Sequence, residues 1–205
     1  MKKIALIPAR IESKRFYGKL LEKLSGVPII LRTYQSALET NVFDDVFVVT
    51  HNDEIIDLMK SINGKYLKSS SDHESGTDRI AEVSIDLQYD IIVNLQGDEP
   101  FINPEQIAQV ANCFLDESTA IATLSKQIKT ADELLDENTV KVVFDENNFA
   151  LNFSRFPIPE PKSFDVEKWF VYNNFYKHIG IYGYRTKVLQ EICKLETTKN
   201  ELSEK

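Results

Sequence analysis

The sequence predicts an α/β protein: a mixed, mainly parallel sheet sandwiched by helices, with a small antiparallel extension. Three observations carry this. Short, continuous apolar runs at Ile4–Ile7, Val46–Val49 and Ile91–Leu95 alternate with segments of helical periodicity, the pattern of parallel strands covered on both faces. The second half changes to paired strands around a polar turn. At 205 residues, the chain can bury one sizeable core.

In chain order, the first apolar run ends at Pro8 and delivers a basic loop. Pro28 opens a helix with Ile30, Tyr34 and Leu38 on one face. Val46–Val49 is a buried strand, and Asn52 is expected to cap a helix carrying Ile55, Met59 and Ile62 that ends at Gly64. A short strand at Tyr66–Leu67 leads into the polar loop S-S-S-D-H-E-S-G-T-D-R, where Thr77 is a candidate cap, and Ile80, Val83 and Leu87 mark the next core face. Ile91–Leu95 runs into Q-G-D-E-P. Asn103, Pro104 and Gln106 start a helix with Ile107, Val110, Ala111 and Phe114 behind them. Val140–Phe144, D-E-N-N and Ala150–Ser154 form a hairpin. Pro157, Pro159 and Pro161 interrupt regular structure, Tyr176–Tyr184 is a further strand, and Thr186 is a candidate cap for a last helix. This half reads as an antiparallel extension over the crevice rather than a linker-joined domain.

Right-handed crossovers bring the loops at 8–19, 69–79 and 96–101 to one sheet edge. The first carries Arg10, Lys14, Arg15 and Lys19, with Gly18 as its only glycine. It is neither G-x-x-x-x-G-K-S/T nor G-x-G-x-x-G, so side chains rather than a glycine-rich backbone cradle must neutralise a phosphorylated ligand. An ordinary solvated lysine loop is the competing reading. The net charge of −8 argues against a nucleic-acid partner or an anionic membrane surface and points to a small anionic ligand. No stretch approaches a membrane span. The apolar run after Met1 is too short for a signal peptide and is interrupted by Arg10. Cys113 and Cys193 have no metal-ligand spacing and are expected to be buried in a protein of a reducing compartment, the cytoplasm.

Asp98 ends the best buried strand beside Glu99. Such a carboxylate suits Mg²⁺, which takes one or two protein carboxylates and completes its shell with phosphate oxygens and water; capping the next turn is the plainer alternative. The loop around Ser75 and Gly76 either wraps a nucleobase or only caps a helix. His178, Tyr182 and Tyr184 alternate on one strand face and can line a sugar pocket, although a lone histidine is more often structural. No nucleophilic triad or zinc spacing is legible, so positioning and electrostatics on a phosphate must supply catalysis.

The motifs I-P-A-R-x-x-S-x-R with G-K, D-H-x-S-G-T-D-R, V-N-x-Q-G-D-E-P, V-K-V-V with F-S-R, and H-I-G-I-Y-G-Y occur in this order from residue 4 to about 195. Together they resemble the 3-deoxy-manno-octulosonate cytidylyltransferases, the CMP-Kdo synthetases. The resemblance implies a glycosyltransferase-A-like, nucleotide-diphospho-sugar transferase fold, usually a homodimer, that couples CTP and Kdo with Mg²⁺ and releases pyrophosphate for lipopolysaccharide biosynthesis. It implies that Arg10, Arg15 and Lys19 form a triphosphate clamp and that Ala9 binds the nucleotide. Ser75, Gly76 and Arg79 fall on the cytidine side, Gln96 lies between nucleotide and sugar, and Asp98 is a metal ligand. Arg155 suits the carboxylate of Kdo, and His178, Tyr182 and Tyr184 fall on the sugar side. Arg15, Lys19 and Asp98 are the expected catalytic residues.

The expected organisation is a single nucleotidyltransferase domain, nucleotide-binding to about residue 130 and sugar-binding and dimerising beyond it. There are two departures. Tyr17 stands where the family's R-x-P-G-K has proline, which is expected to loosen the turn presenting Lys19. The chain also ends at Lys205, before the V-D-T-P-E-D-L-like segment that carries the family's second metal aspartate, so a C-terminally shortened form is expected. A cytidylyltransferase for 8-amino-Kdo or sialic acid, or a catalytically silent nucleotide-binding protein, are the alternatives.

Overall fold

The structure, a computed structural model, describes residues 1–12, 16–70, 73, 75–160 and 166–199. It divides into two compact units, Met1–Ala122 with Ile181–Lys205, and Thr123–Gly180.

The first unit opens with β1 (Lys3–Pro8), whose Ile4, Ala5, Leu6 and Ile7 are fully buried. Transferring side chains of this size out of water is worth about 1.5–3 kcal/mol each for the larger ones. A two-residue hairpin, β2 (Lys23–Leu24) and β3 (Val27–Pro28), precedes α1 (Ile29–Glu39). There follow β4 (Asp45–Thr50), α2 (Asp53–Ser61), β5 (Tyr66–Lys68), α3 (Gly76–Ser84), β6 (Ile91–Asn94) and α4 (Pro104–Asn112). β1 lies parallel between β4 and β6, and β5 lies parallel outside β4. Parallel strands need helical crossovers, so the strand C-termini, and the loops leaving them, share one edge.

Local details depart from expectation where tertiary partners win. The α1 stripe is Ile30, Thr33, Tyr34 and Ala37, with Leu38 exposed. Ile62 follows α2 as an exposed residue, and the left-handed position falls on Asn63. α3 is capped by Ser75, not Thr77: Ser75 Oγ accepts from the Asp78 N–H while the Asp78 carboxylate accepts from the Ser75 N–H. The expected box at Asn103 and Gln106 forms. Cys113, expected inside, is exposed because it falls off the Ile107, Val110, Ala111 and Phe114 stripe; Cys193 is half-buried, and both thiols are free.

The second unit takes up β7 (Ile121–Ile128) from Thr123 onward, then α5 (Ala131–Leu135), β8 (Lys141–Phe144), β9 (Ala150–Ser154) and α6 (Val166–Tyr172). β8 and β9 form the expected antiparallel hairpin, whose turn is held by the Asp145 carboxylate accepting from the Asn147 and Phe149 N–H groups. Ile128, Leu134 and Phe175 are its buried cluster, with Trp169 and Phe170 packed against them. Neither β7 nor α6 was expected from the sequence.

The strand β10 (Phe175–Arg185) pairs with β8 through Tyr176 and Lys177, and with β7. Its last residues belong to the first unit, where Tyr182–Arg185 run antiparallel to β6. α7 (Thr186–Ile192) follows. Thr186 does not cap it; its hydroxyl donates to Tyr89 O. Leu189 of α7 closes a core with Ile4, Leu6, Val49, Ile80, Ile92 and Tyr184. Among the described residues, no helix is long and apolar enough to cross a membrane.

Candidate active site

The loops after β1 and β6 and the segment entering α3 line one cavity of about 910 Å³, within the range of small-molecule sites. Pro8, Ala9, Arg10, Glu12 and Lys19 come from the first loop, His73, Ser75, Gly76 and Arg79 from the second, and Gln96, Gly97 and Asp98 from the third. The expected convergence of the three loops is therefore present. Every expected nucleotide-side residue within the described set lines this cavity; Arg15 lies outside the described residues.

The first loop is shaped by its backbone. Gly18 has φ 74, a left-handed conformation that glycine adopts without steric cost, and its N–H donates to Ile11 O at 3.0 Å. The Lys19 N–H reaches Phe16 O at 3.4 Å. The turn thus closes without a proline, and Tyr17, 71% exposed, points away from the packing that holds it. Lys19 Nζ then donates to Asp98 Oδ2 at 2.8 Å.

Gly97 sits where the third loop crosses β1. A Cβ there would lie 2.8 Å from Ile30 Cδ1 and 3.2 Å from the Pro8 carbonyl, and Thr33 donates its hydroxyl to Gly97 O. The close approach brings Asp98 and Gln96 to the cavity wall. Burial, and then the neighbouring Asp98 carboxylate, push the Glu99 carboxyl above its ordinary range, with Lys19 opposing. The like charges of Asp98 and Glu99 favour a cation beside them. Asp98 already holds the Lys19 ammonium, so the donor set fits a hard divalent cation. Among the described residues no group of three or more His, Cys, Asp or Glu side chains gathers; Mg²⁺ usually takes one or two protein carboxylates and completes its shell with phosphate oxygens and water.

Arg79 is 2% exposed. Its Nη1 donates to His51 Nδ1 at 2.9 Å, Ser69 Oγ at 2.6 Å and Ser70 O at 3.1 Å. Burial and the charge of Arg10 push its acidity up, with Glu12 and Glu82 opposing, yet a guanidinium stays protonated. His73 Nε2 lies 2.7 Å from Glu82 Oε2 and 3.1 Å from Ser70 Oγ. Burial raises the Glu82 carboxyl, but hydrogen bonds from His73 and Ser70 outweigh it and hold it below its ordinary range. Neither His73 nor Glu12 was singled out from the sequence; both act through contacts that no local pattern announces.

The expected sugar-side residues separate. Tyr184 is 7% exposed and packs in the first unit's core beneath α3 and α7; burial pushes its phenol up to about 12. It alternates with Tyr182 as expected, but α3 and α7 cover it, so it packs in the core and is not among the lining residues of the cavity. Tyr182 stacks on it at 6.1 Å. In the second unit, His178 Nε2 lies 2.9 Å from Thr123 Oγ1, and its ring meets Phe153 edge-on at 5.2 Å. Burial lowers its pKa from 6.5. Arg155 donates to Glu137 O, while Lys141, fully buried, donates to Asp136 O and Arg155 O at 2.7 and 2.6 Å.

The model of the family described as "Cytidylyltransferase" matches residues 4–205. The 3-deoxy-manno-octulosonate cytidylyltransferase of Flavobacterium johnsoniae is 45% identical over 100% of this chain and 83% of its own length. That of Thermodesulfovibrio yellowstonii is 44% identical over 97% of this chain and 81% of its own length. Among solved structures, CMP:2-keto-3-deoxy-manno-octonic acid synthetase complexed with CTP superposes with a TM-score of 0.92 at 37% identity, covering 100% of this chain and 82% of that one. A 4-diphosphocytidyl-2C-methyl-D-erythritol synthase from Anaerococcus prevotii, at 15% identity and a TM-score of 0.60, shares the fold. Matched by the family model along almost its whole length and by close relatives end to end, the chain belongs to the 3-deoxy-manno-octulosonate cytidylyltransferase family.

Proposed function

We propose that this chain couples CTP and Kdo to give CMP-Kdo and pyrophosphate for lipopolysaccharide assembly. The observation that carries the reading is the meeting of Arg10, Lys19, Ser75, Gly76, Gln96 and Asp98 in one cavity. The Kdo anomeric hydroxyl oxygen attacks the α-phosphorus of CTP. The bond from that phosphorus to the bridging oxygen breaks, pyrophosphate leaves with the electron pair, and the hydroxyl proton passes to solvent. No protein nucleophile takes part. Arg10 and Lys19 offset the phosphate charge, and their fixed placement lowers the barrier by orientation and electrostatics. Asp98, with Glu99 beside it, would hold Mg²⁺, which withdraws charge from the phosphates when bound. Arg155 is assigned to the sugar's carboxylate and Gln96 to both substrates.

The active form is a homodimer working in the cytoplasm. Leu151 and Phe153 alternate along β9 with Phe149 just before it, each at least 45% exposed, an apolar strip that supports self-association; sedimentation at micromolar concentration checks it. For the activity, pyrophosphate release is measured with CTP, Mg²⁺ and either Kdo or its 8-amino analogue. Release with Kdo is expected. CTP binding without turnover on either sugar would overturn the reading.

A further inference from the structure

His51 and Asn52, just after β4, join the two loops that face the nucleotide. The Ile11 N–H donates to Asn52 Oδ1 at 3.1 Å, and Asn52 Nδ2 donates to Glu12 Oε1 at 2.8 Å. The same oxygen is 3.3 Å from His51 Nε2, whose other ring nitrogen faces Arg79. Asn52 therefore holds the N-cap position of α2 without a side-chain cap bond; its amide is engaged with the cation-bearing loop instead.

The tautomer of His51 follows from its partners. A guanidinium has five N–H donors and no acceptor. His51 Nδ1 must therefore offer its lone pair to Arg79, which leaves the ring proton on Nε2, where it donates to the Glu12 carboxylate. A second proton on Nδ1 would set an N–H against a donor and a cation against a buried cation. The ring is thus oriented, one nitrogen for each loop. Glu12 and Arg79 line the cavity, while His51 is not among its described lining residues. Whatever His51 does for a ligand passes through those two side chains.

We propose that His51, as the Nε2–H tautomer, is a positioning residue that couples Arg79 to Glu12 and so sets the cation-bearing loop for the triphosphate. This rests on the nucleotide reading of the cavity. CTP dissociation constants and Kdo KM values are measured for three variants. His51→Phe keeps a ring but removes both bonds. His51→Asn keeps an acceptor near the Nδ1 position, and His51→Gln keeps an N–H near the Nε2 position.

For His51→Phe the CTP constant is expected to rise about tenfold, equivalent to about 1.4 kcal/mol, with the Kdo KM within about twofold; the Asn and Gln variants should each recover part of the loss. Unchanged CTP affinity, or equal effects on both substrates, overturns the coupling. Ring ¹H–¹⁵N correlations of the wild-type protein provide a check that needs no folded variant other than the one used for assignment. An Nε2–H ring is expected at neutral pH, and an Nδ1–H or doubly protonated ring overturns the proposal. If the wild type binds no CTP, the reading of the cavity falls; if it binds and His51→Phe binds equally, only the coupling falls.

Discussion

Lys19 Nζ and Asp98 Oδ2 stand 2.8 Å apart across 79 residues of sequence, one at the start of a helical turn and the other beyond the end of β6. Their side chains are 40% and 45% exposed, so the pair adds only about 0–1 kcal/mol to stability. Its placement bears on the ligand: the ammonium sits where a carboxylate and a phosphate both need a cation.

Removing either partner should therefore separate stability from activity. Asp98→Asn is expected to abolish turnover, and Lys19→Ala to lower it by about a hundredfold or more, a loss of about 2.7 kcal/mol in transition-state binding. Both should unfold in denaturant within about 1 kcal/mol of the wild type. Turnover by Asp98→Asn at the wild-type rate would remove it from the metal role.

Gly97→Ala tests the crossing of β1 and the third loop. The Ile30 methyl at 2.8 Å can move aside, but the Pro8 carbonyl at 3.2 Å belongs to a buried strand. Overpacking of this kind costs about 1–3 kcal/mol. Because Gly97 lies between Gln96 and Asp98, CTP affinity should fall as well. Calorimetric titration and a melting curve on the same sample read both effects.

Lys141→Met should destabilise the second unit. The buried ammonium satisfies the Asp136 and Arg155 carbonyls, and methionine fills similar space without a donor. An unsatisfied buried acceptor costs about 1–3 kcal/mol. A urea midpoint indistinguishable from the wild type would show that water replaces the ammonium.

His178 carries a pH effect with a definite sign. Burial lowers its folded pKa below 6.5, so the unfolded chain takes up the proton first as acid is added. Its contribution to stability is complete above 6.5, declines as pH falls through that value, and levels off once the folded state is protonated too. Denaturation midpoints across this window should fall in the wild type and fall less in His178→Asn, while both variants share the acid loss from carboxylates.

Much of the fold was legible because its information is local. The runs I-A-L-I, V-F-V-V and I-I-V-N-L leave nowhere to go but between two helical layers, and Gly18 and the Asn103 box announce their turns. β7, I-A-T-L-S-K-Q-I, was not legible, since half of its residues are exposed and no clean alternation marks it. Caps failed where a tertiary partner outcompeted the helix end, as at Asn52 and Thr186. In the site, the cations and Asp98 stood out by charge and position. His51, Glu12 and His73 did not, because their meaning arises from partners 9 to 40 residues away.

The return of the chain to the first unit through Tyr182–Arg185 and α7 has a consequence for synthesis. Ile80 and Ile92 leave the ribosome long before Tyr184 and Leu189, the residues that complete their core. At about 5–20 residues per second, the nascent nucleotide-binding unit spends on the order of 5–20 seconds with an unpaired β6 edge. During that interval Thr123–Gly180 emerges in full, so its own contacts, closed by β8 and β9, can form before the older unit is finished. The segment made later is expected to fold earlier, and chains stalled so that Gly180 has cleared the ribosome exit tunnel while Leu189 has not would display that order.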